Sequence, residues 1–175
     1  MQWTKLLSVN MTESFTTADK LMALVSDDEL NWKPETGNNW MTVGQVLKHM
    51  TNSCGFCCNG FATGDWGMPE DVCDSDKEQA NTLPPAEALP TIDSVASARE
   101  LLALDRKLAF SVVENAGEER LESEMSTAPW EPDNARNLGM HCLGMVQHLD
   151  SHRHQLFYYL KLMGKDVNTM TLWGM

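Results

Sequence analysis

Residues 138–163 read LGMHCLGMVQHLDSHRHQLFYYLKLM, and this stretch carries the strongest helical pattern in the chain. Apolar and aromatic side chains, with one histidine among them, recur at alternating steps of four and three residues: Leu138, Cys142, Met145, Leu149, His152, Leu156, Tyr159 and Met163. This spacing places them on one face of an α-helix. Gly164 stands where a helix commonly ends. The pattern predicts an amphipathic helix with a histidine on its buried face.

Three further stretches have a helical period. One runs from about Thr4 to Ser26, and another begins at Thr42, where Thr42 and Gln45 fit a capping box. The buried stripe predicted for that second helix consists of Val43, Val46, Met50, Cys54 and Cys57. A third helix is predicted from Ser94 to Ala116, and Gly117 is expected to end it. Its predicted core face is centred on Leu101, Leu104, Leu108 and Val112, and Leu102, Ala109 and Val113 widen it.

The fold class follows from these four helices. No stretch shows a convincing strand alternation, so we predict an all-α fold. Four amphipathic helices pack most simply as a four-helix bundle, and two long links permit crossover connections. One link extends to about Pro90, and the other contains Pro129 and Pro132. No repeat or second domain is visible, so we expect one domain over residues 1–175.

Composition excludes several classes of partner. The chain has 13 Lys and Arg against 25 Asp and Glu, a net charge of −12, and it has no basic cluster with which to bind nucleic acid. The acidic stretch from Glu70 to Glu78 is interpreted as a solvated loop. No apolar run approaches the roughly 20 residues of a membrane-spanning helix. We therefore expect a cytoplasmic protein with a small-molecule partner, bound to neither nucleic acid nor membrane.

Three histidines are candidate metal ligands. His148 and His152 are four residues apart, so their side chains lie about 40° apart on one helical face and one turn apart along it. His49 lies at the edge of the buried stripe of the second helix, so two facing helices could bring three imidazoles together. Three ligands leave a coordination position free for water or substrate. The same imidazoles could instead be satisfied by a carboxylate or a backbone carbonyl in the core.

The remaining histidines and the cysteines have simpler interpretations. His141 lies about 10 Å below His148 and is expected to be a partly exposed wall residue, whereas His154 should face the surface. Cys54, Cys57 and Cys58 are interpreted as buried free thiols in a reducing compartment, although Cys54 and Cys57 have the spacing of a redox pair.

Two blocks of the sequence resemble the DinB-like superfamily of metal-binding four-helix bundles, which includes YfiT-like proteins and thiol-dependent S-transferases. The first block spans residues 28–49, from Asp28-Glu29-Leu30-Asn31-Trp32-Lys33-Pro34 through Trp40-Met41-Thr42-Val43-Gly44-Gln45 to His49. The second, His148-Leu149-Asp150-Ser151-His152-Arg153-His154-Gln155-Leu156, is similar to the family's His-x-x-x-His-Arg-Gly-Gln-Leu segment. His154 departs from the family's glycine, and the run from Cys54 to Cys58 is outside the family pattern.

The resemblance implies that His49, His148 and His152 are metal ligands. Three neutral imidazoles favour a borderline divalent ion, zinc first and nickel as the other candidate. The resemblance also implies a small metalloenzyme, either a hydrolase or an S-transferase that uses a low-molecular-weight thiol, and often a homodimer. No catalytic side chain beyond the ligands is identified. The alternative is a non-catalytic binding or stress-response module whose ion joins two helices, with Cys54 or Cys57 as the fourth ligand.

Overall fold

The computed structural model describes residues 2–67 and 84–175. The acidic stretch predicted to be a loop, together with Cys73, lies outside these residues. The main elements in chain order are α1 (Trp3–Met22), α2 (Val43–Met50), α3 (Gly55–Thr63), α4 (Val95–Ser123), β1 (Met125–Ala128), β2 (Glu131–Asn137), α5 (Leu138–Leu162) and α6 (Thr169–Leu172). Short 3-10 turns at Asp27–Glu29 and Ala86–Ala88 precede α2 and α4. The architecture is the predicted all-α class.

Helix α5 lies against all of the other long helices, and it has contacts with α1, α2, α3 and α4. Its predicted buried seam is mostly confirmed, because Leu138, Cys142, Leu149, Leu156 and Tyr159 are buried, and Leu160 and Val146 extend the face. Asn137 caps its first turn, since its side chain accepts a hydrogen bond from the Met140 N–H. Gly164 follows the helix with a φ of 80°, in the left-handed region.

The predicted capping box at the start of α2 is confirmed. The Gln45 N–H donates to the Thr42 hydroxyl at 3.2 Å, and the Thr42 N–H donates to the Gln45 side chain at 2.8 Å. The same Gln45 amide donates to the carbonyls of Glu87 and Leu89, which ties the chain before α4 to α2. The start of α2 is therefore fixed from two directions.

The second predicted helix is broken into two. Helix α2 ends at Met50, and α3 begins at Gly55 after a turn over residues 51–54. The Asp105 carboxylate on α4 accepts hydrogen bonds from the N–H groups of Gly55 and Phe56, both at 2.8 Å. Because the first N–H groups of a helix have no partner within it, a buried carboxylate at this point stabilises a new helix start. Cys57 is consequently only half-buried instead of lying on the predicted stripe.

The predicted core face of α4 was wrong in its centre. Leu104 is 62% exposed and Leu108 is 36% exposed. Val112 and the flanking Leu102, Ala109 and Val113 are buried as predicted, and the buried face is completed by Ala98, Asp105 and Ala116. Alanines allow α1 and α3 to approach α4 closely, and a Cβ at Gly55 would clash with the Asp105 carbonyl. Close packing, and not the leucine spacing, decides which face is inside.

Gly117 interrupts α4 as predicted, but the helix resumes and continues to Ser123. Gly117 has φ 63° and ψ 179°, a conformation that is essentially limited to glycine. The turn brings Glu118 to the start of α1, where its carboxylate accepts hydrogen bonds from the backbone N–H groups of Trp3 and Thr4. Glu122 accepts from the Trp3 indole N–H. The interruption thus allows one helix to cap another.

A short antiparallel hairpin, β1 with β2, was not predicted. Its strands are mostly exposed and polar, and Ala128 is buried at the turn. The sequence of these two strands therefore lacks the alternation of apolar and polar residues from which a strand is predicted. The hairpin leads directly into α5, and the Leu138 N–H donates to the Glu124 carbonyl at its base.

Within residues 2–67 and 84–175, no helix combines the length and the hydropathy of a membrane span.

The role of Asp105 can be tested by Asp105→Ala. We expect the free energy of unfolding to fall by about 2–4 kcal/mol, because two backbone N–H groups lose a charged, buried acceptor. Urea denaturation at pH 7 measures the change. Asp93→Ala, at an exposed position before the same helix, is the matched control and should change stability by less than about 0.5 kcal/mol. Equal effects of the two substitutions would contradict this role.

Candidate metal centre

Three imidazoles converge where α2 meets α5. The Nε2 atom of His148 lies 3.0 Å from the Nε2 of His49 and 3.1 Å from the Nε2 of His152. A ligand atom from each ring lies within 4.8 Å of those of the other two. The three side chains that the sequence singled out are therefore brought together in one place.

Local structure explains this convergence. His49 stands in the last turn of α2, whose start is fixed by the capping box. His148 and His152 are one turn apart in the middle of α5, and they project toward the same partner helix. The His49 ring meets those of His148 and His152 edge to face, with centroids 5.0 and 4.3 Å apart. Two rigid helices hold all three rings.

The electrostatics favour neutral rings. Burial, together with the smaller effects of the neighbouring His152 and His148, lowers the pKa of His49 to about 4. Burial also lowers the pKa of His148, with a smaller effect of His152, while a backbone hydrogen bond with Ser53 opposes the shift. Burial lowers the pKa of His152, against the effect of Gln155. At neutral pH the group therefore offers uncharged imidazoles, the form that binds metal ions.

A hydrogen-bonded chain extends outward from His152. Its Nδ1 lies 3.0 Å from the Gln155 side-chain oxygen. The Gln155 amide nitrogen donates to the Tyr159 hydroxyl at 3.0 Å, and that hydroxyl donates to the Met41 carbonyl at 3.0 Å. Sequence reasoning placed Tyr159 in the core and missed Gln155. Gln155 is three residues after His152 and therefore lies on the same face of the helix, and this spacing is the signal that could have identified it.

The other two histidines do not join this group. His141 is buried, contrary to the prediction of a partly exposed wall residue. Its Nε2 lies 2.9 Å from the Ser126 carbonyl, and its ring stacks on Phe61 with centroids 3.9 Å apart, so it joins the hairpin to α3 and α5. His154 is half-buried, and its Nε2 lies 3.4 Å from a guanidinium nitrogen of Arg153.

The cysteines of the described residues are free thiols, as predicted. Hydrogen bonds to the Cys142 and Cys54 thiols, together with burial, raise the pKa of Cys58 well above its ordinary value. Burial raises the pKa of Cys57 to about 12, assisted by the negative charge of Asp105 and by Cys54. Within residues 2–67 and 84–175, no thiol or carboxylate joins the cluster of three histidines. Cys54 and Cys57, the proposed fourth ligands, are therefore not placed at the site.

The donor set fits a borderline divalent ion. Two nitrogens bound at about 2.0–2.1 Å to one ion are separated by about 2.9 Å at a bond angle near 90° and by about 3.3 Å at the tetrahedral angle. The separations of 3.0 and 3.1 Å lie between these values. Imidazole nitrogens suit zinc, nickel, copper and iron, and they do not suit calcium or magnesium. A three-histidine site could thus hold a divalent metal.

Comparison with known families agrees with the fold and with this cluster. The sequence model of the DinB superfamily matches residues 11–156, which include the second half of α1 and all three histidines. The chain belongs to the DinB superfamily. No match was found among curated proteins or among solved structures.

The lowered imidazole pKa values predict a stability that depends on pH. In the unfolded chain a histidine has its ordinary pKa near 6.5, whereas folded His49 has a pKa of about 4. The unfolded state therefore binds more protons between these values, and stability is lost as the pH falls through this range. In metal-free protein, the loss of unfolding free energy between pH 7 and pH 5 should be smaller in His49→Gln than in wild type. Identical losses in urea denaturation would disprove this origin.

Proposed function

We propose that His49, His148 and His152 bind one divalent metal ion, with zinc as the first candidate and nickel as the second. The observation that carries this proposal is the convergence of three Nε2 atoms, at 3.0 and 3.1 Å, on rings that burial keeps neutral. Two nitrogen lone pairs that face each other at this distance repel unless a proton or a cation lies between them. A shared metal ion relieves this repulsion for all three rings at once.

Elemental analysis of protein purified without an affinity tag tests the site. We expect about one zinc or nickel ion per chain in wild type and a loss of most of that metal in His148→Ala, because two rings remain. His154→Ala is the matched control, since His154 is on the same helix outside the cluster, and it should keep the metal. Full occupancy in His148→Ala would remove His148 from the site.

We further propose that the centre is catalytic and acts on a small molecule, by transfer of a low-molecular-weight thiol or by hydrolysis. A divalent ion bound here would act as a Lewis acid that lowers the pKa of a coordinated thiol or water. The three imidazoles would hold it and leave a coordination position for water or substrate. Hydrolysis would also need a general base, and no side chain is assigned that role. A metal-bound thiolate needs no separate base to attack an electrophile, so we favour thiol transfer of the two reactions.

The non-catalytic alternative requires a protein side chain in the fourth position. Its thiol candidates are occupied elsewhere: the Cys57 thiol donates to the Asn52 carbonyl at 3.6 Å, and Cys54 is fully buried beside Cys58. No specific observation favours this alternative over an enzyme.

The proposal also covers domain organisation, cellular location and oligomeric state. We propose one domain over residues 1–175 that acts in the cytoplasm, where the free thiols of the described cysteines would stay reduced. Pairing as a homodimer rests on the family resemblance.

Activity can be tested with probes of both reactions. Monochlorobimane with cysteine or glutathione reports thiol transfer, and p-nitrophenyl acetate reports hydrolysis. We expect one of these reactions in the metal-loaded protein, loss of at least about tenfold after chelation, and recovery with zinc or nickel. Undiminished turnover without metal would refute a metalloenzyme. Metal binding without either reaction would favour the non-catalytic alternative.

A further inference from the structure

We propose that Gln155 and Tyr159 are positioning residues that determine which nitrogen of His152 carries the proton. This inference rests on the proposed metal site, since the benefit of the arrangement is a free Nε2 lone pair directed at the other two imidazoles. Neither side chain is one of the three ligands, and each acts through its hydrogen bonds. Together with the Met41 carbonyl they form what we call the Met41 chain.

The direction of the Met41 chain is set at its outer end. A backbone carbonyl can only accept hydrogen bonds, so the Tyr159 hydroxyl must donate its single proton to Met41. The phenolic oxygen is then an acceptor, which the Gln155 NH₂ group satisfies at 3.0 Å. This fixes the orientation of the amide, and its oxygen faces His152. That oxygen can only accept, so Nδ1 of His152 carries the proton.

The proton on Nδ1 of His152 determines the state of Nε2, the nitrogen on the opposite side of the ring. A neutral imidazole has one N–H group and one lone pair, so a proton on Nδ1 leaves Nε2 as the acceptor. Nε2 is the atom that lies 3.1 Å from the Nε2 of His148. The ring is thus prepared for an ion before the ion arrives. Partners of this kind on the second nitrogen are typical of metal-binding histidines.

The same geometry disfavours a Met41 chain in which the hydrogen bonds run in the opposite direction. If the Gln155 amide were turned over, its NH₂ group would face His152, and the Tyr159 hydroxyl would have to donate to the amide oxygen. The Met41 carbonyl would then lose its donor. His152 would carry its proton on Nε2, directed at the His148 ring 3.1 Å away.

The Met41 chain is also held in place by packing. The Tyr159 side chain is 2% exposed, and its ring meets those of Trp32 and Trp40 edge to face, with centroids 5.3 and 6.2 Å apart. Met41 directly precedes Thr42, the residue that caps α2. The Met41 chain therefore connects His152 on α5 to the start of α2, the helix that carries His49. One set of hydrogen bonds thus orients a ring on one helix relative to the start of the other.

Three variants separate the Met41 chain from general packing. Gln155→Leu removes the acceptor at Nδ1, whereas Gln155→Glu retains it. Tyr159→Phe removes only the hydroxyl and keeps the ring against the two tryptophans. Gln147→Leu and Tyr158→Phe are matched controls, because both residues are exposed on the same helix.

Two measurements are made on each variant. Two-bond ¹H–¹⁵N correlation spectra of metal-free protein at pH 8 identify the nitrogen of His152 that carries the proton. Competition with a chromogenic chelator gives zinc affinity, and thermal unfolding confirms that each variant is folded. We expect the Nδ1–H form in wild type, in both controls and in Gln155→Glu. Gln155→Leu should shift His152 toward the Nε2–H form and weaken zinc binding by about ten- to hundredfold, and Tyr159→Phe should shift it in the same direction by less.

The result that would overturn the inference is an Nε2–H form of His152 in wild type, or a folded Gln155→Leu protein with unchanged tautomer and unchanged zinc affinity. The spectra are recorded without metal, so they do not depend on the proposed function. An Nδ1–H form that depends on Gln155 in a protein that binds no zinc would support the Met41 chain and contradict the metal site.

Discussion

The close approach of three imidazoles across two helices is the central constraint of this structure. The Nε2 of His148 lies 3.0 Å from that of His49 and 3.1 Å from that of His152, and ligand atoms of all three rings lie within 4.8 Å of one another. Burial disfavours an added proton on these rings, so at neutral pH each imidazole stays uncharged, with one N–H group and one lone pair. Such a group persists only where rigid elements hold it. The central position of α5 and the doubly fixed start of α2 provide that rigidity.

Several parts of this arrangement could be predicted from the sequence, because each depends on residues close together in the chain. The buried seam of α5 is a period of three and four residues, and the box of Thr42 with Gln45 is a local exchange of two hydrogen bonds. The one-turn spacing of His148 and His152 is equally local. The inclusion of His49 needed the further assumption that α2 faces α5, which the resemblance to a bundle family strengthened and the structure bears out.

The parts that could not be predicted depend on contacts between distant residues. Asp105 starts α3 fifty positions before itself in sequence, and Glu118 caps α1 from more than a hundred residues away. No local pattern reports such pairs. The face of α4 was misjudged for a related reason: alanines carry a weak hydrophobic signal, yet they allow close helix contact, so Leu104 is left outside. The direction of the Met41 chain likewise requires coordinates, since it begins at a backbone carbonyl.

The free cysteines have a consequence for a protein that would handle a soluble thiol. Exchange between a cysteine and a foreign disulfide begins with attack by a thiolate. Cys54, Cys58 and Cys142 are sealed from solvent, and burial keeps Cys57 protonated at neutral pH. These four sulfur atoms are poor nucleophiles toward an oxidised cosubstrate. The cell's pool of small disulfides would therefore leave this part of the bundle unmodified, and mixed adducts would not accumulate on it during oxidative stress.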